Sequence, residues 1–213
     1  DQQSASQGST RPAVESVWLG EAIDTQEQGG AHPLEDPIEE LAGRIAGGEC
    51  LAWVRDRMEL SRESLGSRVL LADPCRPDSR RKLLGAVQQS EPWLPARMVV
   101  TAARAAGYVD VPPLVGPGFH QARATPALQA CAPEAMQPEG RVWVRIIDPA
   151  QDPALTRLLE TVERATGHPL LFMETFRLRG SPRVRNEFDA TEAFARSGLD
   201  ALVAGERLYT RDG

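Results

Sequence analysis

The stretch that most constrains the fold is Leu170-Leu171-Phe172-Met173-Glu174-Thr175-Phe176, which follows a Gly167-His168-Pro169 turn. Six of its seven residues favour burial or an extended backbone, and it predicts a strand. Period two puts Leu170, Phe172, Glu174 and Phe176 on one face. A carboxylate between two phenylalanines is costly unless it has a partner. In the plain reading Glu174 points to solvent and Leu171, Met173 and Thr175 face the core. In the functional reading Glu174 is partly desolvated, its pKa is raised, and it is poised to move a proton. A second stretch, Glu91-Pro92-Trp93-Leu94-Pro95-Ala96-Arg97-Met98-Val99-Val100, has the same construction with one central cation, Arg97. Together the two predict strands that bring an Arg and a Glu to one pocket.

The 213 residues suit one domain with tails, or two small ones. With 41% apolar and 25% charged residues, a folded core is expected. A net charge of -6 argues against a nucleic-acid binder, which needs a basic footprint. Lys82 is the only lysine, so Arg carries nearly all the positive charge. Cys50, Cys75 and Cys131 are far apart without a CxxC, and His32, His120 and His168 match no metal motif. No metal, no cofactor and no disulfide framework are therefore expected, and free thiols fit a reducing cytoplasm. No apolar run reaches the 18 or so residues of a membrane span. The opening Asp1, in place of Met, is expected of a fragment or a processed form.

Residues 1–33, rich in Gln, Ser and Gly, read as a disordered tail with one apolar knot, Val17-Trp18-Leu19. The ordered domain is expected over 34–182, with 183–213 as an extension packed on it. Asp36 as N-cap, Pro37 at the first helical position and the Ile38, Leu41, Ile45 stripe predict a helix that Gly47-Gly48 ends. A strand is expected within Glu49 to Leu60, and a short apolar run at Val69-Leu70-Leu71. Arg80 to Gln88 reads as the first arm of a hairpin that turns at Gln89-Ser90-Glu91-Pro92 and returns from Trp93 to Val100. Six prolines between Val109 and Gly140 exclude one long element, and Gln121 to Cys131 has room for a short helix. Arg141 to Ile147 alternates as a strand, with Trp143 on the face opposite Val142, Val144 and Ile146. For Asp152 to Thr166 two readings stand, a helix on the Leu155, Leu158, Leu159, Val162 spacing or a hairpin arm. A helix from Thr191 to Ala204 and a strand from Arg207 to Thr210 complete the chain.

The Glu91–Val100 and His168–Phe176 stretches, with the opening Leu34-Glu35-Asp36-Pro37-Ile38, resemble the chorismate lyases of ubiquinone biosynthesis. The resemblance covers about 34–182 and is patchy in the middle. It implies an α+β domain, an antiparallel sheet with flanking helices enclosing a buried pocket. It also implies a cofactor-independent lyase that splits chorismate into 4-hydroxybenzoate and pyruvate, an aromatic carboxylate being its small-molecule partner. Arg97 and Arg81 would hold carboxylates, Glu174 would transfer the proton, and Val54 would line the pocket. Arg80 competes with Arg81 for its place. The helical spacing of 155–162 departs from the strand that family needs there. Two alternatives stand beside it: a ligand-binding, effector-sensing domain without turnover, and a protein that works through the basic run Arg177, Arg179, Arg183 and Arg185.

Overall fold

Asp36, Pro37 and the apolar stripe after them form the helix their spacing predicts. In the computed structural model, which describes residues 19–23, 30–61, 64–87, 95–110 and 118–211, α1 spans Pro37–Gly47. Asp36 accepts hydrogen bonds from the Ile38 and Glu39 amides, and Gly48 closes the helix in the left-handed region. The same chemistry settles the ambiguous segment: α4, Pro153–Thr166, has Asp152 as N-cap and Gly167 as a left-handed C-cap. The expected tail before residue 19, its Val17-Trp18 pair and the turn at 89–92 lie outside the described residues.

The strands are β1 (His32–Pro33), β2 (Leu51–Val54), β3 (Arg68–Ala72), β4 (Arg97–Thr101), β5 (Val109–Asp110), β6 (His120–Ala124), β7 (Arg141–Ile147), β8 (Leu170–Thr175), β9 (Ala201–Ala204) and β10 (Arg207–Thr210). Among the described residues they form one sheet in the order β1-β10-β9-β2-β3-β8-β4-β7-β6-β5. β2 runs parallel to β9 and β4 parallel to β7, while the other pairs are antiparallel. The sheet is therefore mixed, which corrects the expected antiparallel, chorismate-lyase-like architecture. β9 and β10 belong to the same sheet as the rest.

Helices cover both faces. α1 and α4 pack over one, where Leu41, Ile45, Leu158 and Val162 meet Trp53, Val69, Leu71, Leu171 and Met173. The other face carries α2 (Ser79–Ala86), α3 (Pro126–Cys131) and α5 (Glu187–Arg196). There Leu83, Leu128 and Phe194 meet Leu70, Met98, Val144, Phe172 and Leu202. Coverage on both sides explains why β2, β3 after Arg68, and the start of β8 read as apolar runs.

Two expected elements are corrected. Arg80 to Gln88 begins as α2 instead of a hairpin arm. Its first turn has no side-chain cap of its own. Glu134, 56 residues away, supplies one by accepting from the amides of Asp78 at 2.6 Å and Arg80 at 3.2 Å. The helix expected over 191–204 instead ends at Arg196, and Ala201–Ala204 is strand.

Candidate active site

Glu174 stands near the C-terminal end of β8 and Arg97 at the start of β4. Alternation sends Glu174 to the face of Phe172 and Arg97 to the face of Val99. They meet because the β4–β8 ladder stops at Met98↔Phe172. Beyond that rung the two strands are no longer paired, and Arg97 Nη1 lies 3.1 Å from Glu174 Oε2. The guanidinium carbon also sits 5.8 Å from the Phe119 ring centre. Glu174 is 17% exposed and Arg97 24%. Burial pushes the Glu174 carboxyl above its usual range, against the pull of the Arg97 and Arg80 charges. Arg80 acts on this carboxylate through its charge, from the first turn of α2.

The neighbouring residue, Thr175, ties the site to a buried polar network. Its hydroxyl accepts from the Ser64 amide at 3.1 Å. The Ser64 hydroxyl lies 2.6 Å from Glu59 Oε1 and 2.7 Å from the Arg68 carbonyl. Glu59 is fully buried and also accepts from the Leu65 and Ser67 amides. Burial alone would raise its pKa. The Ser64 hydroxyl, backbone amides and the Arg183 charge outweigh that and hold it below the usual range. Arg68, equally buried, donates to the carbonyls of Glu21, Arg55, Asp56, Ser67 and Arg185. Desolvation lowers its pKa to about 10. Arg145, on β7, donates to the Leu65 carbonyl, and Arg55 joins the α4 cap through Asp152 at 2.5 Å. Gly66 sits in the middle at φ +130°, where a Cβ would stand 2.9 Å from Arg55 Nη2 and 3.0 Å from Asp152 Oδ2.

This network escapes a reading by composition. Glu59, Arg68, Arg145 and Asp152 are scattered over the chain, and only the fold makes them neighbours. One signal was present: Arg68 opens an otherwise apolar strand, as Glu174 interrupts another.

Arg81 is not brought to Glu174 as expected. Arg81 is on the outer side of α2, 76% exposed and paired with Asp78 at 2.7 Å. Val54 is fully buried in the core. Of the basic run, Arg183 and Arg185 line, with Arg196 and the exposed Phe188, a groove of about 250 Å³ beside α5. Arg185 is engaged by Asp189 at 2.8 Å.

The cysteines also depart from expectation. Cys75 and Cys131 form a disulfide with a Cα–Cα distance of 4.7 Å, while Cys50 is a buried free thiol. A sequence separation of 56 hides the pairing, since β3 and α3 converge only in the folded chain. No described helix is long and apolar enough to cross a membrane.

The family described as carbamoyltransferase C-terminus matches residues 42–211, well over half of the chain. The chain belongs to this family. It is 23% identical over 203 residues to the nodulation protein NolO of Bradyrhizobium diazoefficiens, covering 92% of this chain and 35% of NolO. It is 26% identical over 183 residues to the 3'-hydroxymethylcephem-O-carbamoyltransferase of Amycolatopsis lactamdurans, covering 85% of this chain and 34% of that enzyme. The chain thus spans about a third of the length of these curated relatives. In fold it is similar to full-length HypF in the phosphate- and nucleotide-bound form, with TM-score 0.61 and 13% identity over 80% of this chain and 25% of HypF.

Membership of the carbamoyltransferase C-terminus family overturns the chorismate-lyase resemblance, and with it the lyase reaction, the ubiquinone pathway and the aromatic carboxylate partner. The effector-sensing alternative has no support from these relatives either. The likeness of the two X-Pro strands to another family was local. The meeting of Arg97 and Glu174 does not rescue that reading, because the sheet around them has another topology.

Proposed function

We propose that the chain is the C-terminal part of an O-carbamoyltransferase, and that Arg97, Arg80 and Glu174 belong to its carbamoyl-handling site. The match of residues 42–211 to the carbamoyltransferase family carries this reading. The activity named for the Amycolatopsis relative, O-carbamoylation of a hydroxymethyl group, supports a hydroxyl acceptor. The phosphate- and nucleotide-bound state of HypF supports an anionic donor, with carbamoyl phosphate the simplest.

The residues suit that chemistry. An acceptor hydroxyl attacks the carbamoyl carbon. A C–O bond forms, the bond to the leaving phosphate breaks, and the hydroxyl proton passes to a base. The donor's anionic end displaces the Glu174 carboxylate from Arg97, and the two guanidinium groups hold the charge left on the phosphate. Glu174, raised by burial and now without its counter-charge, takes the proton.

Calorimetric titration with carbamoyl phosphate tests the donor site. Saturable binding is expected, with competition by inorganic phosphate. Arg97→Ala should weaken it at least tenfold, while Glu174→Gln keeps binding and, in the full-length protein, lowers transfer about a hundredfold or more. Absence of binding, or an Arg97→Ala variant that binds as well as the parent, would refute the assignment.

A further inference from the structure

We propose that Cys75, Cys131 and His168 form a site for a thiophilic divalent cation such as Zn2+ once the Cys75–Cys131 disulfide is reduced. The two sulfurs and a ring nitrogen of His168 lie within 4.8 Å of one another, and all three residues are half-buried. Ligand atoms around tetrahedral zinc stand roughly 3.4–3.8 Å apart, from Zn–S of about 2.3 Å and Zn–N of about 2.0 Å. Small side-chain rotations therefore take the reduced cluster to that geometry.

The elements fix the three residues in place. Cys75 follows β3 and His168 precedes β8, and these strands are neighbours with Ala72 paired to Phe172. Cys131 is the last residue of α3. This cluster lies at the end of β8 opposite Glu174, so it is separate from the carbamoyl-handling site.

Asp73 distinguishes the cluster from a plain disulfide. Its side chain is 4% exposed, and its Oδ1 lies 2.9 Å from His168 Nε2. The same oxygen accepts from the Cys75 amide at 2.8 Å. Arg76 Nε, 3.6 Å from Oδ2, balances its charge. A disulfide needs no histidine held by a buried carboxylate, whereas a metal-ligating histidine is characteristically oriented this way through its second nitrogen. With Nε2 engaged, Nδ1 is left for the metal. Three protein ligands leave a fourth position for water or a substrate atom.

The chemistry balances with a thiol reductant. Two reductant thiols are oxidised to their disulfide, and the Cys75–Cys131 bond takes up the two electrons and two protons as two thiols. Zn2+ then displaces those two protons, and the two thiolates offset its charge.

The test uses the full chain, reduced with a phosphine and freed of metal, then titrated with Co2+ and Zn2+. One metal per chain is expected, with a sulfur-to-cobalt charge-transfer band in the near ultraviolet that Zn2+ abolishes. The oxidised protein should bind none. Cys131→Ser should lose the band. His168→Gln leaves both cysteines and the disulfide intact, and it should weaken Zn2+ at least tenfold. Asp73→Asn should weaken it about tenfold. A reduced protein that retains no metal, or a His168→Gln variant with unchanged affinity, would overturn the proposal.

Discussion

Glu174 is a carboxylate kept in the sheet at an electrostatic cost. Burial raises its pKa more than the Arg97 and Arg80 charges lower it. The folded chain therefore keeps the Glu174 proton at a pH where the unfolded chain has lost it. Its contribution to stability is full below the unfolded value of about 4.3 and declines as pH rises through the raised one. Glu174→Gln has no such slope. The melting temperature of the variant relative to the parent should thus climb as pH is raised from about 4 through that window, and a flat difference across the series would show that Glu174 titrates normally. Legibility at this scale was uneven. Glu174 and Arg97 stood out because each interrupts an apolar run, and the fold does bring them together. Arg81 did not follow, because a residue's place on a helix decides which way it looks, and that helix was read as a strand.

Among the elements, α2 depends most on its surroundings. It carries Arg80, whose charge acts on Glu174, yet Glu134 from the segment after α3 caps its first turn. Glu134→Ala should destabilise the protein by about 1–2 kcal/mol, the usual cost of a lost cap. That is a fall of roughly 2–8 °C in a melt of a chain this size. Because the helix positions Arg80, the same variant should also bind carbamoyl phosphate more weakly. Unchanged stability would mean that solvent satisfies those amides equally well. α1 and α4 are the contrary case. Their caps, Asp36 and Asp152, and their closing glycines are all local, so their boundaries could be read from neighbouring residues.

At the scale of the whole molecule, the chain's last strands complete one side of the sheet. β9 lies between β2 and β10, and all four of its residues are buried. β10 is held from below by Glu187, which accepts from the Tyr209 hydroxyl at 2.5 Å and from Arg207 at 3.0 Å. Ending the chain after Ser197 would strip Leu199, Leu202, Val203, Leu208 and Tyr209 from the core. At about 1.5–3 kcal/mol for each large side chain, the loss rivals the 5–15 kcal/mol that holds a domain together. Such a truncation should show no cooperative thermal transition, and a sharp melt near that of the parent would disprove the dependence. The amino-acid order by itself determined α1, β7, β8 and β10, because caps and side-chain periodicity act over a few residues. Which strands are neighbours, which run parallel, and that Cys75, Cys131 and His168 or Glu59, Ser64 and Arg68 share one place were decided only by the tertiary structure. Those contacts join segments far apart along the chain, and their energies appear only once the backbone has closed around them.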